Sequence, residues 1–144
     1  MTAKYRAKRI DNNEWVYGVP VYCESGECFI LNRPRVPESD YDDDLYCVVD
    51  DFQVDPETVG QFTGLQDTNN IDIYEGDVMG FTFDCEYHKT CPVKYEPGWA
   101  AFATTLALGE TNPEDLYILG AHNDRGSAVY EVIGNVHDNP ELVK

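Results

Sequence analysis

The side chains best suited to chemistry are five thiol and imidazole groups. Cys85, His88 and Cys91 follow a C-x2-H-x2-C pattern, and Cys23 and Cys28 form a C-x4-C pair. Zinc takes about four nitrogen or sulfur ligands in tetrahedral geometry, so together they offer enough donors. The knuckle glycine usual beside such pairs is missing around Cys85. Cys23 and Cys28 fall at strand positions where a small buried thiol suffices. The simpler expectation is thiols with no metal and no cofactor. Five cysteines cannot all enter a closed disulfide set.

Oxygen ligands are offered by Asp40-x-Asp42-x-Asp44, which imitates the start of a calcium loop. That loop needs glycine at its sixth position and a bidentate glutamate at its twelfth. Leu45 and Asp51 stand there instead, so a solvated acidic loop is expected. For acid–base catalysis there are His88, His122 and His137, with His122-Asn123-Asp124 placed after a predicted helix, where a loop could expose it. A general base needs a positioned partner, and no nucleophile elbow supplies one. A phosphate-binding loop, a dinucleotide glycine fingerprint and an HExxH motif are all absent. Carboxylates are so abundant that pairing them carries no information. No catalytic residue emerges, and the chain is not expected to be an enzyme.

That abundance is itself the loudest signal. The 144 residues carry a formal net charge of −17. Basic residues gather at Lys4, Arg6, Lys8 and Arg9, whereas no lysine or arginine occurs from Val36 to His88. Such a surface repels phosphate backbones and anionic membranes, so neither nucleic acid nor membrane is an expected direct partner. The N-terminus has no apolar signal core, and the run Trp99 to Leu108 is too short to span a bilayer. A cytoplasmic location is the expectation. The bland function of the charge is solubility.

The elements that must position these groups are mostly strands. A chain of this length can bury roughly 70% of its unfolded surface and needs no staples. Short alternating segments run over Lys4–Ile10, Trp15–Val19, Val21–Cys23 and Cys28–Leu31, with a turn at Asp11–Asn13 and a hairpin loop at Glu24–Glu27. Asn32–Asp44 reads as a surface loop and Leu45–Val49 as a short buried strand. Asp55 caps a helical turn begun by Pro56. Gln61–Leu65 and Ile71–Tyr74 flank a second hairpin loop, Gln66–Asn70. Glu75-Gly76-Asp77 turns into Val78–Phe83, followed by Cys91–Tyr95 and Trp99–Leu108. Thr111-Asn112-Pro113-Glu114-Asp115 is a strong helix start, and Gly120 would end that helix. Ala128–Ile133 is the last strand. Trp15, Tyr17, Tyr74, Tyr95, Trp99 and Phe102, at alternating positions, read as core rather than as a ligand platform.

The expected fold is mainly β. It has N-terminal antiparallel strands and an acidic loop over about 1–53. A small, partly closed SH3-like barrel or roll with one short helix follows over about 54–144, the whole forming one domain of residues 1–144.

Three segments carry a family resemblance. They are Tyr5-Arg6-Ala7 with Trp15-Val16-Tyr17-Gly18; the run from Val54 through Asp67 on to Ile73-Tyr74-Glu75-Gly76-Asp77-Val78; and Glu131-Val132-Ile133-Gly134-Asn135 followed by Asn139-Pro140-Glu141-Leu142. Together they resemble the YopX-like family of phage and prophage proteins. Lys8 stands where that family often has an aromatic, and Asn70 where it often has glycine, which asparagine replaces well in left-handed geometry. The resemblance implies an all-β fold containing an SH3-like barrel and a phage or prophage origin, and it carries no established activity.

Most motif residues read as architecture. Gly64 and Gly76 suit turns of positive φ, and Asp67 and Asp77 can bond turn amides. A functional reading lines one groove with Gln61, Thr63, Asp67, Tyr74, Glu75 and Asp77. Three roles then compete. The first is a non-catalytic module that binds a protein partner through a groove or sheet edge. The second is an acidic decoy for a nucleic-acid-binding or host-defence protein. The third is a small-ligand-binding or sequestering protein. Sheet edges could also support a homo-oligomer.

Overall fold

The computed structural model describes residues 4–35, 48–83, 86–89, 92–97, 100–105, 116–118 and 129–143. The chain divides into two compact units, Met1–Gln61 and Phe62–Lys144.

In the first unit, β1 (Tyr5–Lys8) pairs with β2 (Trp15–Tyr22), β2 with β3 (Cys28–Arg35), and β3 with β4 (Val48–Val54), all antiparallel. The strand β3 continues through Arg35, four residues into the stretch expected to be loop. The expected turn and hairpin close as the sequence indicates. Asn13 takes φ 62°, and Gly26, at φ 94°, donates its N–H to Cys23 O. β2 changes partner along its length: Trp15–Gly18 face β1, and Val19–Tyr22 face β3. Gly18 marks the switch. A Cβ there would lie 2.0 Å from Leu31 O, so only glycine admits this approach.

Past β1, Arg9 forms a lone bridge with Val54, and the Ile10 N–H reaches Gln53 O at 3.2 Å. These contacts curl the sheet around a small core. Ala7, Cys28, Ile30 and Val54 are buried in it, with Val16 and Val59 packed against them. Asp55 then caps the 3₁₀ turn Pro56–Thr58, its carboxylate accepting the Glu57 N–H at 3.0 Å, as expected for a cap followed by proline. The Thr58 hydroxyl ties that turn back to β1 by accepting the Lys8 N–H at 2.8 Å. β5 (Gly60–Gln66) begins in this unit, where Gly60 and Gln61 pair with Arg6 and Tyr5.

In the second unit the rest of β5 pairs with β6 (Asp72–Tyr74) across a bulge. Gly64, at φ 84°, lies inside that bulge. β7 (Asp77–Phe83) lies between β8 (Glu86–Lys89) and β12 (Val129–Asn135). A further sheet orders β11 (Leu116–Ile118), β10 (Ala101–Thr105) and β9 (Lys94–Glu96). A second 3₁₀ turn, Pro140–Val143, ends the chain. The core here is Ile73, Met79 and Val93, with Leu65, Phe102 and Val132 packed on it.

Three expectations change. The described strands form open sheets and do not close into the expected SH3-like barrel, because β7 and β10 each organise a separate three-stranded sheet. The helix expected from Thr111 to Gly120 does not run its length: Leu116–Ile118 are extended and pair with Ala103–Thr105. The expected helix start, Thr111–Asp115, lies outside the described residues. The strand β8, by contrast, had no sequence signal, since Glu-Tyr-His-Lys offers no apolar alternation.

Candidate functional site

The six groove candidates are distributed over both units. Gln61 belongs to the first unit, half-buried opposite Tyr5. In the second unit, Phe62 and Tyr74 are direct cross-strand partners with ring centroids 5.5 Å apart, so they share a face. Thr63 follows Phe62 and lies on the other face, where its hydroxyl donates to Ile73 O at 2.9 Å. Tyr74 is buried and Glu75 half-buried.

The two aspartates turn inward. Asp67 is 5% exposed. Its Oδ1 accepts the N–H groups of Asn69 at 2.8 Å and Ile71 at 2.9 Å, holding the β5–β6 turn. Its Oδ2 accepts the Val132 N–H at 2.9 Å, fastening the turn to β12. Asp77 is 1% exposed, and its Oδ2 accepts the Tyr74 N–H at 2.8 Å across the tight turn at Gly76. A carboxylate accepting several backbone N–H groups is fixed in place by charge-assisted bonds. These side chains brace turns.

The C-terminal motif is architectural in the same way. Asn135 Oδ1 accepts the N–H groups of His137 at 3.0 Å and Asp138 at 2.9 Å. A Cβ on Gly134 would meet Asn139 Oδ1 at 2.5 Å and Leu142 Cδ1 at 2.7 Å, so the glycine makes room for the closing turn. The Val136 N–H reaches Gly76 O at 3.0 Å, and the Gly76 N–H reaches Val93 O at 2.8 Å. Gly76 itself sits at φ 87°.

Among the candidate metal ligands, Cys85, Cys91, the side chain of His88, and the triplet Asp40, Asp42 and Asp44 lie outside the described residues. So do His122, Asn123 and Asp124. Cys23 is exposed and Cys28 buried, both as free thiols. Burial, and secondarily the nearby Cys23, push the Cys28 thiol above its ordinary range. Among the described residues no group of three His, Cys, Asp or Glu side chains is placed to hold a metal ion. No helix among them is long and apolar enough to cross a membrane.

What stands out lies instead on the first unit. Cross-strand pairs set the two faces of its sheet. Ala7 with Val16, and Cys28 with Val54, face the core. The alternate positions therefore lie on the opposite face, where Arg6 and Lys8 of β1 are buried but the β2 residues are exposed. Along β2 these are Tyr17, Val19 and Val21, at 40%, 57% and 39% exposure. Their β3 partners Leu31 and Phe29, opposite Val19 and Val21, are half-buried. Tyr22, at the strand end, is 61% exposed. At the other end of β2, the Trp15 ring lies under two cations, with Arg6 Cζ 4.4 Å and Lys8 Nζ 5.3 Å from its centroid. The described part of β2 contains no buried residue, although it pairs on both sides along its course.

Tyr17 thus departs from the expectation of a core aromatic, as does Tyr95, 45% exposed. Trp15 and Phe102 are half-buried, and the side chain of Trp99 lies outside the described residues. The sequence signal for the outward row was present but two-sided. Val16 and Pro20 alternate with Tyr17, Val19 and Val21, so apolar residues occupy both faces and periodicity cannot choose between them.

Comparison with known proteins places this architecture. The family model described as YopX protein matches residues 4–144. The crystal structure of protein EF1440 from Enterococcus faecalis is similar, with a TM-score of 0.65 at 20% identity, over 98% of this chain and 97% of that one. The crystal structure of protein yopX from Bacillus subtilis gives a TM-score of 0.53 at 21% identity over 100% of both chains. At such identities the likeness concerns the fold alone. No curated protein matches the chain in sequence.

Proposed function

The chain belongs to the YopX protein family, and from that footing we propose that it is a non-catalytic protein-binding module. One observation carries the reading: the outward row of Tyr17, Val19 and Val21, exposed beside Phe29 and Leu31. Single exposed apolar residues are ordinary, but a contiguous row on one sheet face is the usual mark of an interaction surface. An aromatic side chain such as Tyr17 suits that use, because it gives large contact area at small entropic cost. The motif aspartates and glycines support it indirectly. They are engaged in turns and strand junctions, which makes the fold a scaffold for a presented face.

The test is co-purification from cells in which the protein acts, comparing the wild type with Val19→Asp and with Glu57→Lys, a change at an exposed position away from the row. The expected result is a stoichiometric partner retained by the wild type and by Glu57→Lys and lost by Val19→Asp, with all three equally resistant to heat. A partner bound equally by all three, or turnover of a substrate by the isolated protein, would overturn the reading.

A further inference from the structure

Resting on that reading, we infer that the partner seated on β2 and β3 is a basic protein, one presenting aliphatic side chains ringed by lysine and arginine. The apolar row supplies the centre of the contact, and the charges around it supply the sign. At the hairpin beyond Val21, Glu24 and Glu27 are exposed. Across β3, Asp51 is exposed opposite Leu31. At the start of β2, Glu14 is exposed, with Asn12 donating to it at 3.0 Å. Against these stands Lys4, exposed one residue before Tyr5. Arg6, directly opposite Tyr17, and Lys8, opposite Trp15, share the face of the row but are buried there, 7% and 6% exposed, against the Trp15 ring. The described rim is therefore predominantly acidic, on a chain of net charge −17.

That charge also disfavours the two simplest alternatives. A second copy of the chain would bring two bodies of −17 together across carboxylate rims, which costs free energy at every approach. A strand cannot simply be added beside β2, which lies between β1 and β3 in the sheet. A face-on contact needs no ladder. Complementary charge would steer encounter and make binding salt-sensitive, while the apolar centre would hold the complex.

The test is a titration of the isotopically labelled full chain, followed by amide chemical shifts, with two synthetic peptides. One alternates lysine with valine and leucine; the other has glutamate in place of each lysine. The expected result is shifts concentrated at Tyr17, Val19, Val21, Phe29 and Leu31 with the lysine peptide, its affinity falling about fivefold or more from low to high salt. Asp51→Lys combined with Glu27→Lys should remove that salt dependence while leaving the fold intact. Equal binding of both peptides at this face would overturn the inference and leave the protein-binding reading standing. Shifts from the lysine peptide that avoid β2 and β3 would overturn it as non-specific attraction to carboxylates elsewhere. Shifts at these same amides on raising protein concentration alone would overturn it in favour of a second copy.

Discussion

Asp67 and Val132, 65 positions apart in the chain, are joined by a 2.9 Å hydrogen bond from the Val132 N–H to the buried Asp67 carboxylate. The same carboxylate accepts two amides of its own turn, so one side chain fixes the β5–β6 turn and its attachment to β12 together. Replacing it by alanine leaves three donors without this acceptor. Asp67→Ala should lower unfolding free energy by about 3 kcal/mol in a urea titration, given the cost of unsatisfied buried groups. Asp67→Asn should also destabilise, because an amide nitrogen turned towards any of these N–H groups cannot accept from it.

Gly18 and Gly134 should differ in tolerance. Alanine at Gly134 presses on side-chain atoms of Asn139 and Leu142, which can shift. Alanine at Gly18 presses on the backbone carbonyl of Leu31, which cannot move without parting β2 from β3. Thermal unfolding should therefore show Gly18→Ala as the more damaging change, with Gly134→Ala costing about 1–3 kcal/mol as an overpacked site.

Cys23 and Cys28 should separate by alkylation. Cys23 is exposed, whereas Cys28 is 0% exposed with its thiol pushed upward by burial. Thiolate is the reactive form, so iodoacetamide at neutral pH should label the Cys23 peptide and spare the Cys28 peptide until denaturant is added. Peptide mass spectrometry reads both. Equal labelling in the folded protein would place Cys28 outside the core.

Arg9 and Asp11 form an exposed ion pair, with Arg9 Nε donating to Asp11 Oδ1 at 2.8 Å. The guanidinium holds the Asp11 carboxyl below its ordinary value. A depressed folded value means that the pair's contribution is present above the unfolded carboxylate range and is lost as pH falls through the folded value. Carboxyl-carbon chemical shifts across an acid titration should show Asp11 titrating lower than in an Arg9→Gln variant.

Much of the frame was legible in the sequence, and the exceptions have physical causes. Asp55-Pro56 predicted a capped turn because the side-chain acceptor and the missing N–H suit successive positions there. Asp67 was legible as a turn-bonding aspartate, and Asn70, at φ 61°, as a stand-in for glycine. The bond to Val132 was not, since nothing local announces a partner on a distant strand. The strand at Leu116–Ile118, expected as helix, was not legible, because these residues answer to pairing with β10, a partner that no local signal announces. The proposed docking face was illegible for a different reason. Apolar residues on both faces of β2 hide which one is buried, and only the pairing of Val16 with the core residue Ala7 on a neighbouring strand decides it. That Asp67 and Asp77 bond turn amides was legible, and carboxylates so engaged are turned inward.

The most direct test of the central claim is photo-crosslinking in cells from a benzophenone side chain placed at Val19. A discrete adduct, heavier than the chain by one partner and absent when the same group replaces Glu57, is the predicted result. No adduct at Val19, or the same adduct from both positions, would contradict a partner seated on the outward face of β2.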